Sequence, residues 1–299
     1  MEVLLSSPRG FCAGVVRAIE VVDICLRKYG KPVYVKHQIV HNPYVVADLE
    51  SRGAITVESV DEVPEGSLVV FSAHGSPPED FEMAKTRGLT VIDAVCPLVT
   101  RVHNEAKKYH GEGKKVVLVG HRGHQEVRGT MGQVEMTLID DTGEIELPPW
   151  DDDQEVAVLT QTTLSVGDTA QAISAIRSRF PAATVRNDIC YATTNRQEAV
   201  TKMAGNVDLV LVIGAENSSN CNRLREVAEA LGVPSYLING PEEIDPSWLD
   251  GKETVGITSG ASTPEVLVES VIERLAPEKV TLVSGVEEDV TFTLPKQLR

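Results

Sequence analysis

Short apolar runs alternate with longer stretches whose apolar positions recur at helical spacing, and the two follow one another along almost the whole chain. The pattern predicts strands over residues 2–7, 32–35, 68–71 and 90–93. Between them it predicts a helix over 13–29, one that follows a His-Asn-Pro turn and stops at Gly53, and one around 79–87. A second stretch repeats the plan. It has a helix over about 98–110, strands over 115–119, near 136–139 and over 156–160, a helix ending at Phe180, and an extended run to Cys190. A third has a helix over about 194–204, strands over 209–213, 235–238 and 255–258, a helix reaching Gly232 and another over 264–275. The acidic, Pro-bearing segment 140–154 reads as a surface connection, and the last twenty-odd residues, which alternate weakly, as a tail. Strands alternating with helices predict α/β architecture with parallel sheets. The division expected is three α/β domains, 1–95, 96–189 and 190–277, followed by a C-terminal tail, 278–299. The repeat is architectural, without a residue-by-residue match.

In open parallel sheets ligands sit outside the strand C-termini, and the polar clusters of this chain fall there. Cys12 lies in PRGFCAG, directly after the first strand and before the first helix. Cys96 and Cys190 occupy similar settings, each after a short apolar or extended run and each opening a helical segment. A helix N-terminus stabilises negative charge, hence a thiolate. Free cysteine is also a common buried residue, and Cys25 fits a helical pattern as such. The functional alternative is three thiolates on one metal centre, zinc or an iron–sulfur cluster; a cubane with three Cys ligands would leave one iron open to substrate.

Composition narrows the partners. Among 299 residues, 28 basic side chains face 44 acidic ones, a formal net charge of −16. That argues against non-specific binding to nucleic acid or an anionic membrane surface, so any anionic ligand needs a locally built site. Five cysteines, an odd count without close pairs, do not resemble a secreted disulfide framework. With no signal-like start and no apolar run of spanning length, the expectation is a cytoplasmic protein in a reducing compartment.

Other polar residues gather at the same strand ends. His41, His74 and His124 sit in VHN, SAHG and GHRGHQE, where imidazoles can hold an anion such as phosphate. His37, His103, His110 and His121 have less distinctive contexts, and His103 and His110 fit exposed or half-buried helix faces. Ser218, Ser219 and Asn220 in NSSN, and Ser262 in GASTPE, precede helices, where they can cap the helix, bind an anion, or both. Glu126, two residues after His124 in a Gly-rich loop, can donate a proton if its pKa is raised. Thr162, in QTT, can cap a helix or orient a substrate hydroxyl.

Taken in order, PRGFCAGVVRAIE, VHNPYVV, SAHG, DAVCPLVTRVH, GHRGHQE with GTMGQ, TQTTLSV, NDICYATTNRQEAV, NSSN and GASTPE resemble the 4-hydroxy-3-methylbut-2-enyl diphosphate reductase family, up to about residue 277. This resemblance implies a trefoil of three α/β domains around a central iron–sulfur cluster, [4Fe-4S] in the active form, with the first strand packed in the third domain. It implies Cys12, Cys96 and Cys190 as cluster ligands. His41, His74, His124, Ser218, Ser219, Asn220 and Ser262 match the diphosphate-binding positions, Glu126 the proton-supplying acid, and Thr162 a residue near the substrate hydroxyl.

The implied reaction is reductive removal of an allylic hydroxyl bound to the open iron. Two electrons arrive from ferredoxin, flavodoxin or a similar donor, Glu126 supplies protons with help from the His124 region, and isopentenyl and dimethylallyl diphosphates result, the last step of the methylerythritol phosphate route. Two departures stand out: Gln125 where Pro is expected, and Cys221 where Ser is usual. Cys221 is expected not to be a ligand. The competing readings are an iron–sulfur sensor or diphosphate-binding regulator on the same fold, and a zinc hydrolase with a three-Cys site.

Overall fold

The computed structural model describes residues 1–140, 142–143 and 145–299. The chain opens with β1 (Glu2–Ser6), α1 (Ala13–Tyr29), β2 (Val33–Lys36), α2 (Pro43–Ser51), β3 (Ala54–Val57), β4 (Leu68–Phe71), α3 (Pro78–Thr86) and β5 (Thr90–Asp93). It continues through α4 (Pro97–Gly111), β6 (Lys115–Gly120), α5 (Gln125–Met131), β7 (Met136–Asp140), β8 (Val156–Thr160), α6 (Val166–Arg179) and β9 (Thr184–Val185). The last elements are α7 (Tyr191–Ala204), β10 (Leu209–Ile213), α8 (Ser219–Ala230), β11 (Ser235–Ile238), β12 (Thr254–Ser259), α9 (Glu265–Leu275) and β13 (Lys279–Val283).

Three parallel sheets form, ordered β11-β10-β12-β1-β13, β3-β2-β4-β5 and β7-β6-β8-β9. Strands covered on both faces should be apolar throughout rather than alternating. Accordingly, every residue of β8 (VAVLT) and of β10 (LVLVI) is buried.

By contacts the chain falls into two compact units. One comprises residues 1–15, 41–45 and 191–291 and contains the five-stranded sheet. Here β1 lies between β12 and β13, with Val3 opposite Val255 and Val280. Val3, Leu5, Leu211, Ile257, Val268 and Val271 form one core layer, and Met203, Val210, Val212 and Leu224 belong to the layer with α7 and α8. The other unit comprises residues 16–40, 46–190 and 292–299 and holds both four-stranded sheets.

Five local expectations change. Residues 279–283, read as part of the tail, form β13; three of its five residues are exposed, as befits a sheet edge. Residues 125–131, read as a Gly-rich loop, form the short helix α5, and β3 is a strand the pattern did not predict. His103 is buried rather than half-exposed. The segment 140–154 is not wholly superficial: Ile145, Leu147 and Trp150 pack against the core of the β6–β9 sheet, while Asp141 and Glu144 lie outside the described residues.

Candidate functional site

In the unit built on the five-stranded sheet, the polar residues sit on the loops after β1, β10 and β12. The Cys12 loop is pinned from several directions. The Gly10 N–H donates to Ser259 Oγ at 2.9 Å, the Cys12 N–H to the Ala261 carbonyl at 3.1 Å, and the Ala13 N–H to the Tyr191 hydroxyl at 3.3 Å. Asn220 ties the next two loops together. Its Oδ1 accepts from the Ala261 N–H at 2.9 Å, and its Nδ2 donates to Thr193 Oγ1 at 3.3 Å. Ser218 is the N-cap of α8 and accepts from the Cys221 N–H at 3.4 Å. Ser219 opens that helix. Ser262, buried, donates to the His41 carbonyl at 2.9 Å, and Asn217 lies 3.4 Å from His41 Nδ1. The structure thus brings Cys12, His41, Ser218, Ser219, Asn220 and Ser262 into one cluster of hydroxyls, amides and an imidazole, with the N-terminus of α8 beside them.

The second unit contains the other six expected residues, joined by short contacts. The Cys96 N–H donates to the Ala73 carbonyl at 3.0 Å, next to His74. The rings of His74 and His124 meet edge to face at 6.1 Å between centroids, and those of His37 and His74 at 6.0 Å. His124 is the N-cap of α5; its Nδ1 accepts the Glu126 N–H at 3.1 Å, so the ring carries its proton on Nε2. Burial, with the charges of His121 and His37, pushes His124 down to about 4, leaving it neutral near pH 7. The Glu126 carboxylate accepts twice from Thr162, from the N–H at 2.7 Å and from Oγ1 at 2.9 Å. Those bonds favour the anion, but burial outweighs them and, with the nearby Asp188 carboxylate, pushes Glu126 up to about 7. The Thr162 carbonyl in turn accepts the Cys190 N–H at 2.9 Å.

Close backbone approach holds this half together. Gly129 of α5 faces the Gly75 carbonyl, and a Cβ at Gly129 would sit 2.7 Å from that oxygen. His103 of α4 fills the space on the other side of Gly75, so the His74–Gly75 turn is gripped by two helices. Gln125 occupies the first position of α5, where Pro is also favoured, so its presence leaves the helix start intact.

The five cysteines divide into two groups. Cys12, Cys96 and Cys190 are half-buried and each immediately precedes a helix, α1, α4 and α7 respectively. Cys25 and Cys221 are both 0 % exposed. Cys221 is wedged against Gly214 and Gly260, with burial pushing its thiol up. Partly exposed cysteines at helix starts offer thiolates of the kind that soft metals take, whereas the two sealed away do not.

A family model described as LytB protein matches residues 3–276. The chain belongs to this family. It is 52 % identical over 309 residues to a 4-hydroxy-3-methylbut-2-enyl diphosphate reductase of Actinobacillus pleuropneumoniae, covering 100 % of this chain and 98 % of the relative. It is 53 % identical over 308 residues to one from Aromatoleum aromaticum, covering 100 % and 98 %. The solved structure of the E-1-hydroxy-2-methyl-but-2-enyl-4-diphosphate reductase from Plasmodium falciparum superposes with a TM-score of 0.93 at 35 % identity, over 100 % of this chain and 96 % of that one. The three-sheet α/β fold of the family is therefore the fold of this chain.

Several contributors escaped the sequence reading. Asp188, fully buried, raises the Glu126 pKa, yet its position two residues before Cys190 gave no sign of that contact. Asn217 and His37 reach His41 and His74 through loop geometry. His103 had a legible signal: Val99, Val102 and Ala106 share its helix face and are buried.

Proposed function

We propose that this chain reductively dehydroxylates 4-hydroxy-3-methylbut-2-enyl diphosphate to isopentenyl and dimethylallyl diphosphates. The carrying observation is the Glu126–Thr162 pair, a buried acid that keeps its proton to about pH 7 and is one hydrogen bond removed from Cys190. A sensor or regulator has no use for such a proton donor, whereas a reaction that expels water needs one.

In this reading Cys12, Cys96 and Cys190 hold a [4Fe-4S] cluster, which when bound would supply the electrons and a Lewis-acidic iron. His41, Ser218, Ser219, Asn220 and Ser262 take the diphosphate through hydroxyl, amide and imidazole donors and the α8 N-terminus. His74 and His124 add donors to the same anion, with His124 offering its Nε2–H. Thr162 presents its hydroxyl to the substrate hydroxyl, and Glu126 delivers the proton. Lone-pair acceptance by Glu126 fixes the Thr162 hydroxyl, so acid and orienting group move as one. Electrons would come from a ferredoxin, flavodoxin or similar donor. This reading places the work in the cytoplasm; among the described residues no helix is long and apolar enough to cross a membrane.

The test is anaerobic purification, an absorption spectrum, and an assay with reduced methyl viologen and 4-hydroxy-3-methylbut-2-enyl diphosphate. A brown protein that forms both products supports the reading. A brown, inactive protein favours a sensor or another substrate, and a colourless protein that takes up zinc but cannot be reconstituted with iron and sulfide overturns the cluster.

A further inference from the structure

Two buried arginines remain outside this scheme. Arg196 of α7 is 1 % exposed, and all five of its N–H donors are engaged. Nε and Nη2 donate to the Gly10 carbonyl at 3.3 and 2.8 Å, and Nη1 to the Ala192 carbonyl at 2.9 Å. Nη1 and Nη2 also reach the two oxygens of Glu288, at 2.9 and 3.2 Å. Gly10 stands two residues before Cys12, and Glu288 belongs to the segment after β13. In the other unit, Arg17 of α1 is likewise buried. Its Nη1 donates to the Ala94 and Val95 carbonyls at 3.1 and 2.9 Å, directly before Cys96, and its Nε to the Thr293 carbonyl at 2.8 Å. Each arginine therefore has one edge on the loop that presents a cysteine and the other on the C-terminal segment. A planar guanidinium can serve both at once; an ammonium, with a single compact head, cannot.

We propose that Arg196 and Arg17 are positioning residues for the Cys12 and Cys96 loops, and that the C-terminal segment acts on those loops by fixing the two guanidinium planes. Glu288 orients Arg196 by a two-pronged carboxylate contact, and the Thr293 carbonyl orients Arg17. The consequence for a bound cluster rests on the ligand assignment above; the consequence for the loops does not.

The experiment compares the full-length chain with Arg196→Lys, Glu288→Gln and Arg17→Lys. Amide hydrogen exchange is read before cluster loading, and air bleaching of the cluster after loading. Losing a hydrogen bond to a charged group should speed exchange by about tenfold at the affected loop. Arg196→Lys and Glu288→Gln are expected to do so at Cys12 and Ala13 while leaving Cys96 unchanged; Arg17→Lys is expected to do the reverse. All three should bleach about tenfold faster in air than the parent. Equal acceleration at both loops, the mark of general loosening, overturns the proposal, as does no acceleration at either. Selective exchange with unaltered bleaching overturns the link to the cluster. If the parent itself takes up no cluster, the ligand assignment fails, and the exchange pattern alone still decides whether the arginines position the loops.

Discussion

Replacing Glu126 by Gln removes a buried acid whose ionisation the fold resists while keeping its shape and an acceptor for the Thr162 N–H. The carboxyl is 4 % exposed and titrates at about 7 instead of 4.5. A raised folded-state pKa means that the native state holds the proton more tightly than the unfolded chain does. Its contribution is fully present below pH 4.5 and is lost as pH rises through about 7. At about 1.36 kcal/mol per pKa unit, ionising Glu126 costs the native state roughly 3 kcal/mol. The substitution abolishes that cost. Thermal unfolding of the cluster-free chain is the assay. The melting temperature of Glu126→Gln relative to the parent should climb between pH 5 and pH 8. A domain of this size converts 3 kcal/mol into about 5–10 °C. A constant difference across that range would refute the burial argument and, with it, the case for Glu126 as a proton donor near neutrality.

Serine at any one of Cys12, Cys96 or Cys190 should abolish the brown chromophore, whereas Cys221→Ser and Cys25→Ala should leave the Mössbauer spectrum of the loaded protein unchanged. Gly129→Ala drives a methyl group against the Gly75 carbonyl and should cost about 1–3 kcal/mol in denaturant unfolding, the usual penalty for overpacking. Asn220→Leu leaves the Ala261 N–H without its acceptor. It should lower stability by about 1–3 kcal/mol and raise KM for the diphosphate substrate.

The strands were most legible where burial makes the chain apolar without interruption: β4, β8 and β10 lie where the pattern placed them, as do the partly exposed β5 and β11. Failure followed the opposite condition. β13 is an edge strand with exposed Val280 and Leu282, so its alternation is weak, and α5 is short and interrupted by Gly129. Among the candidate residues, the resemblance supplied identities, and the structure supplied what no spacing encodes: the two hydrogen bonds that make Glu126 and Thr162 a pair. Arg196 was visible in principle, because it shares a helix face with buried Ala192, Ala199 and Val200. A charged residue on an apolar stripe signals a buried partner, but the stripe does not say that the partner is Glu288, far along the chain.

The place of β1 between β12 and β13 sets a schedule for biosynthesis. β1 is made long before its neighbours, both of which lie beyond residue 253. At about 5–20 residues per second, that leaves β1 without a sheet for tens of seconds. Until then, the loop carrying Cys12 lacks both the Ala261 carbonyl and the Ser259 hydroxyl that hold it. The Cys12 loop can therefore take its final shape only after the segment carrying Ser259 and Ala261 has been made and has joined it.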